Sequence, residues 1–220
     1  MKKVHKKLNM VGGILMIMLV FLCAFNVTYA YFTARATVEG NLTFYDLNLT
    51  FGYVQSNSNQ AVSTGQTAFT INPNADNVLR GQAFGFQLTN GTALKNVSIM
   101  SNAKSCNAYV RVKVVAVKMK DATTADVDTT DYGKYITLTT PSTVVTNTTD
   151  STDYWYYVRG QVRTSSTIEI ATAATISIDA PADVTNGYLK ITLVFDAVQA
   201  TAAAVTELWG STAATLVGAA

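Results

Sequence analysis

Tyr109-Val110-Arg111-Val112-Lys113-Val114 puts three valines on one side of an extended chain and a tyrosine, an arginine and a lysine on the other. Successive side chains of a strand point to opposite faces, so this alternation predicts a half-buried β-strand. The pattern repeats on either side of it. Phe84, Phe86 and Leu88 recur at period two, and Tyr154–Val158, Thr175–Ile178 and Tyr188–Phe195 are rich in β-branched or aromatic residues. Leu42, Phe44, Leu47, Leu49 and Phe51 change phase around Tyr45-Asp46, which predicts a bulge inside one long strand. Asn90-Gly91 and Asn186-Gly187 are tight-turn dipeptides. About ten short strands, with no strongly amphipathic helix before the C-terminus, predict an all-β fold of the jelly-roll or β-sandwich kind.

Two polar stretches, Lys120–Tyr132 and Thr140–Asp153, read as Thr/Asp-rich connections. The segment from Thr201 is Ala-rich; Val205, Leu208 and Trp209 fall at i, i+3 and i+4, so one or two helical turns can pack there. Its closing Leu216-Val217 is too short to span a membrane.

Composition narrows the function classes. The chain has 220 residues, of which 49% are hydrophobic and 14% charged. The charged share is low beside the roughly 25% of an average soluble protein, yet the apolar content is too high for a disordered chain. The formal net charge is +2, and no basic field marks a nucleic-acid binder. Lys2, Lys3, Lys6 and Lys7 cluster at the start beside His5, so the remainder of the chain is mildly acidic and free of histidine.

Residues 1–30 read as an export signal. Met1–Lys7 is a cationic n-region, Met10–Phe25 an apolar stretch, and Thr28-Tyr29-Ala30 places small residues at −3 and −1 of a cleavage site before Tyr31. As a helix the apolar stretch spans about 24 Å, short of the ~30 Å of a bilayer core. A retained anchor is the alternative. Leu22 directly before Cys23 argues against a lipid-modified cysteine. The expected product is Tyr31–Ala220, secreted and keeping no stable membrane span. Its one cysteine, Cys106, cannot form an internal disulfide and is expected to be a small buried apolar residue.

Such a product offers little catalytic chemistry. Without histidine it has no imidazole for a triad or a general base near neutral pH, nor for the usual catalytic zinc sites. One cysteine excludes a CxxC pair or a thiolate cage, and no Gly-rich phosphate loop follows a strand. The expectation is a non-enzyme without a cofactor. Asp121, Asp126, Asp128 and Asp131 can be read as a Ca²⁺ loop, but their spacing fits no standard motif and a solvated acidic loop is the plainer reading. Tyr154-Trp155-Tyr156-Tyr157 can be read as a sugar-stacking platform; one face in the core and the other at the surface is the plainer account. The sequons at Asn41, Asn48, Asn90, Asn96 and Asn147 follow from an Asn/Thr-rich composition.

The segment after the cleavage site is more telling. Phe32, Ala34, Ala36 and Val38 share one face of Tyr31–Glu39, and Gly40 separates this arm from the strand that follows. Two alanine knobs let the backbone lie deep in a groove lined by larger residues. About six ladder bonds at about 1 kcal/mol net each, with about 1.5–3 kcal/mol for burying Phe32, can hold two subunits together against the entropy of association. The pattern alone leaves pairing within the subunit or with a neighbour open, and by itself favours the former.

Thr28-Tyr29-Ala30-Tyr31-Phe32-Thr33 resembles the processing site of the TasA/camelysin-like exported proteins of Gram-positive bacteria, which are cut by a SipW-type signal peptidase. The resemblance continues through Asn41–Phe51, Phe86–Thr92, Tyr109-Val110-Arg111-Val112 and Tyr154-Trp155-Tyr156-Tyr157 to the ending Phe195-Asp196-Ala197-Val198-Gln199-Ala200. Asp196 stands where the family has Glu, and the tail and loops are unusually rich in Ala and Thr. The resemblance implies a jelly-roll subunit of extracellular biofilm-matrix fibres, with residues 1–30 as signal, 31–40 as donor-strand arm, 41–200 as sandwich and 201–220 as tail. It implies that the chain's main partner is itself, in a head-to-tail homopolymer, with the peptidase as partner during export. Matrix proteins or polysaccharide are candidate further partners, and no nucleic acid is expected. The donor residues would be Phe32, Ala34, Ala36, Val38 and Gly40, freed by cleavage after Ala30. A monomeric cell-surface adhesin for glycan or matrix is the second expectation, and a camelysin-like metalloprotease a third that the histidine-free body does not favour.

Overall fold

The computed structural model describes residues 47–73, 78–119, 130–181 and 188–219. They belong to one unit of the chain, Tyr45–Ala220. The fold is all-β, as the alternation predicts. In chain order the strands are β1 (Leu49–Gln55), β2 (Ala61–Ser63), β3 (Ala68–Pro73), β4 (Ala83–Gln87), β5 (Ala93–Ser101), β6 (Ala108–Met119), β7 (Ile136–Thr139), β8 (Val144–Thr146), β9 (Trp155–Val158), β10 (Thr167–Ala171), β11 (Ala173–Ile176) and β12 (Tyr188–Gln199). Two short helices, α1 (Ala202–Trp209) and α2 (Ser211–Val217), follow.

The stretch that announces the fold is its spine. β6 pairs antiparallel with β12 along its whole length, from Tyr188↔Met119 to Gln199↔Ala108. Val110, Val112, Val114 and Ala116 are buried in the main core, while Arg111, Lys113 and Val115 on the opposite face are only half-buried. The strand pairs form one curled antiparallel sheet, in the order β2-β1-β5-β4-β3-β12-β6-β9-β8, with β10 on β5 and β11 between β4 and β7. β3 makes a corner: Ala68–Ile71 pair with β12, whereas Asn72 and Pro73 pair with β4. The curl brings β1 over β12 without a ladder between them, and the Phe51 ring lies 5.2 Å from that of Phe195 and 6.2 Å from that of Phe69. Side chains from both layers thus fill one core, with Phe51, Phe86, Ile71, Ile99 and Leu193 among its fully buried members. Burying each such side chain stabilises the fold by roughly 1.5–3 kcal/mol.

Several details depart from the sequence reading. Thr140–Asp153 is more than a connection: Val144–Thr146 within it forms β8 on β9, with Val144 in the core. Ile178 lies beyond the end of β11 and is 71% exposed. The aromatic run has no open platform, although Tyr154, just before β9, is 42% exposed. Tyr156 enters the main core, but Tyr157, only 2% exposed, and Trp155 pack into a second cluster with Tyr109 and Val198 beneath α1 and α2. The helices supply Val205, Ala213, Ala214 and Val217 to that cluster. Leu208 does not join it and is 65% exposed, so the packed pair of α1 is Val205 and Trp209 at i and i+4.

Among the described residues no helix is long and apolar enough to cross a membrane. The export signal, the arm, the bulge at Tyr45-Asp46, the turn at Asn186-Gly187 and Asp121, Asp126 and Asp128 lie outside the described residues.

Candidate assembly site

A sheet grows or joins a second chain at an edge whose N–H and C=O groups lack a partner strand. Among the described residues four strands pair on one side only: β2, β8, β7 and β10. β2 and β8 have three residues each, too few for a long ladder. β7 is sealed by a side chain. The hydroxyl of Tyr156 accepts from the Leu138 amide at 2.9 Å and donates to the Ile136 carbonyl at 3.4 Å. One phenol thus meets two backbone groups that would otherwise be buried without a partner.

β10 is different. It runs almost without a break into β11, which is flanked by β4 on one side and β7 on the other. The second flank stops where the Thr172 amide donates to the Thr139 carbonyl at 3.0 Å and the chain turns away at Pro141. Thr167–Ala171 is left with β5 as its one strand neighbour among the described residues. The Ser101 amide donates to the Ser166 carbonyl at 2.8 Å, so the alternation of an antiparallel ladder turns the N–H groups of Thr167 and Glu169 away from β5. Ile168 and Ile170 belong to or pack on the main core beside this edge. Glu169 is tied to β5 by the Asn96 side-chain amide, which donates to its Oε2 at 2.6 Å.

A second constellation lies on the outer face of the spine. Arg111 donates from Nε and Nη2 to Asp196 Oδ2 at 3.1 and 2.8 Å, and Trp209 Nε1 donates to the same oxygen at 2.8 Å. The guanidinium sits over Trp155 at 4.2 Å and over Trp209 at 4.7 Å from the ring centroids. Tyr157 meets Trp209 edge-on at 6.4 Å, and its hydroxyl donates to Asp153 Oδ2 at 2.9 Å. Burial, aided by that carboxylate, raises the Tyr157 pKa, with Arg111 opposing. Three short motifs far apart in the chain, around Arg111, Trp155 and Asp196, therefore meet in one place. With the carboxylate partly exposed, the Arg111–Asp196 ion pair contributes about 1 kcal/mol or less.

Among the described residues there is no cluster of three or more metal-ligating side chains. Asp131 Oδ1 accepts from the amides of Ala116 at 3.0 Å and Gly133 at 2.8 Å, so this carboxylate braces a loop. Cys106 is half-buried rather than a core residue. It lines an open cleft of ≈ 460 Å³ with Ser105, Asn107, Gln161, Thr164 and Gln199, a rim of amides and hydroxyls without a charged group.

The residues predicted for cleavage (Thr28, Ala30, Tyr31) and for assembly (Phe32, Ala34, Ala36, Val38, Gly40) lie outside the described residues. What sequence reasoning missed is the edge of β10 that no second strand pairs among the described residues, the Tyr156 seal and the Trp209–Asp196 link. Only Pro141, a residue that ends a strand, hinted that β7 stops short. Comparison of the chain with protein-family models, with curated proteins and with solved structures gives no match.

Proposed function

We propose that this chain is a secreted structural subunit of an extracellular filament, polymerising by strand donation from its N-terminal arm, Tyr31–Glu39, to the β10 edge of the next copy. The observation that carries the reading is the five-residue edge Thr167–Ala171, paired with β5 alone among the described residues, beside a strand that is flanked on both sides further along. The arm's alternating Phe32, Ala34, Ala36 and Val38 suit such an edge, because main-chain bonds supply affinity and side chains on one face set the register. A head-to-tail contact of this kind does not close on itself and so propagates as a fibre. Export processing then acts as the trigger, since the arm is free to pair in trans once cleaved after Ala30. A histidine-free exported body agrees with a structural role rather than with a protease.

The competing reading is a monomeric adhesin for glycan or matrix. Its aromatic platform is weakened by the burial of Tyr157 and by the guanidinium lying over Trp155. The test is electron microscopy and sedimentation of chain secreted from a host with the processing peptidase, with and without Tyr31–Glu39. Fibres from the intact product and monomers from the shortened one are expected. Fibres forming equally well without the arm would refute strand donation, and a persistent monomer that binds polysaccharide would favour the adhesin.

A further inference from the structure

We infer that α1 and α2 form a latched strap, which lifts from the sheet as a unit while the sandwich stays folded. The inference is independent of the filament reading. The strap covers Tyr109, Trp155, Tyr157 and Val198, an aromatic face on β6, β9 and β12 that would otherwise be a large exposed apolar patch.

Three features make it separable. Its helices have eight and seven residues, well under the roughly 12–15 at which an isolated helix begins to hold itself together. They therefore persist by docking. Secondly, the strap contributes no strand: it lies beyond β12, and lifting it breaks no sheet ladder. Thirdly, its contacts are few and mostly small. Val205, Ala213, Ala214 and Val217 are buried, the Gly160 amide donates to the Val217 carbonyl at 2.8 Å, and the large side chains are the half-buried Leu216 and the one aromatic anchor, Trp209. Local opening of such low-contact units below the global unfolding free energy is general protein behaviour.

The latch is the Asp196 carboxylate. A single oxygen, Oδ2, takes the indole N–H of the strap and two N–H groups of Arg111 on the sheet. Arg111 in turn lies against Trp155 of the sheet and Trp209 of the strap. Removing the charge of Asp196 loosens the strap at its one aromatic anchor while leaving every core residue in place. The hinge is Ala200-Thr201, where Thr201 caps α1 by accepting from the Ala204 amide at 3.2 Å.

The molecule carries its own probe. Its 2 tryptophans, Trp155 and Trp209, both flank the latch, so selectively excited tryptophan emission reports the strap. The sheet component of the far-UV circular dichroism reports the sandwich, since the helical component is lost with the strap. Urea titrations of the full chain and of Asp196→Asn would follow both signals, with acrylamide quenching measured in the absence of urea. In the parent chain the emission transition should precede the dichroism transition. In Asp196→Asn it should move to still lower urea by clearly more than the dichroism midpoint, which loses only the cross-strand ion pair with Arg111, and quenching should rise about two-fold or more. Coincident transitions in both proteins, or midpoints that fall together in the variant, would make strap and sandwich one cooperative unit and overturn the inference.

Discussion

The Tyr156 hydroxyl on β9 accepts the Leu138 amide of β7 at 2.9 Å, joining two strands that share no ladder. A single phenol thus stands in for a strand at one edge, while the neighbouring edge of β10 has no such substitute among the described residues. The contrast makes the two edges separately testable.

Tyr156→Phe removes the acceptor for Leu138 and the donor to Ile136 in a buried seam. The cost should be about 1–3 kcal/mol, the usual penalty for a buried polar group left without a partner, read as a lower urea midpoint with an unchanged slope.

Alkaline pH should act through the same residue. Burial raises the pKa of Tyr156 and of Tyr157 above the ordinary value of 10.0. The folded chain therefore holds these protons more tightly than the unfolded chain. Their contribution is fully present below the unfolded value and is lost as pH rises through the folded values. Urea stability should fall as pH is raised from about 9 to 11, and part of that fall should vanish in Tyr156→Phe and in Tyr157→Phe.

Two glycines should respond unequally to alanine. A Cβ on Gly133 would run into the backbone carbonyl of Val114, which the core strand β6 holds in place. At Gly52 the first obstacle is the side chain of Met100, which is flexible, with the Val62 carbonyl at 3.1 Å behind it. Gly133→Ala should cost about 3 kcal/mol or more and Gly52→Ala about 1 kcal/mol. Thermal melts of the two variants would rank them.

Asp131 offers a check on the loop-brace reading. Asp131→Ala orphans the amides of Ala116 and Gly133 and should destabilise by about 1–3 kcal/mol. Asp131→Asn keeps an oxygen acceptor and should cost less. Equal losses in denaturant titrations would mean that the carboxylate acts by its charge.

Thr167→Pro probes the assembly edge. The exposed Thr167 opens β10 with its N–H turned away from β5, a position where proline is tolerated in a strand. The variant should keep its dichroism and melting point yet form fibres at least several-fold more slowly than the parent, followed by light scattering. Unchanged fibre growth would move the acceptor elsewhere.

Alternation by itself determined the all-β class, the spine at Tyr109–Val114 and which valines turn inward, because side-chain period is a local property of an extended chain. The same local reading located helical turns near Trp209. It misjudged Leu208, since a spacing names a stripe but not its edge. It also expected one face of Tyr154–Tyr157 to lie at the surface without saying which, since nothing in four residues says that a later segment will cover Trp155 and Tyr157.

Tertiary structure alone decided the rest. Arg111, Trp155, Asp196 and Trp209 meet because β6, β9 and β12 are neighbours and α1 folds back over them, a consequence of strand order that no motif spacing encodes. The edge of β10 that no second strand pairs among the described residues and the sealed edge of β7 were decided in the same way. Whether an edge is free depends on where the remaining strands end, and that is settled only when the whole sheet has curled around its core.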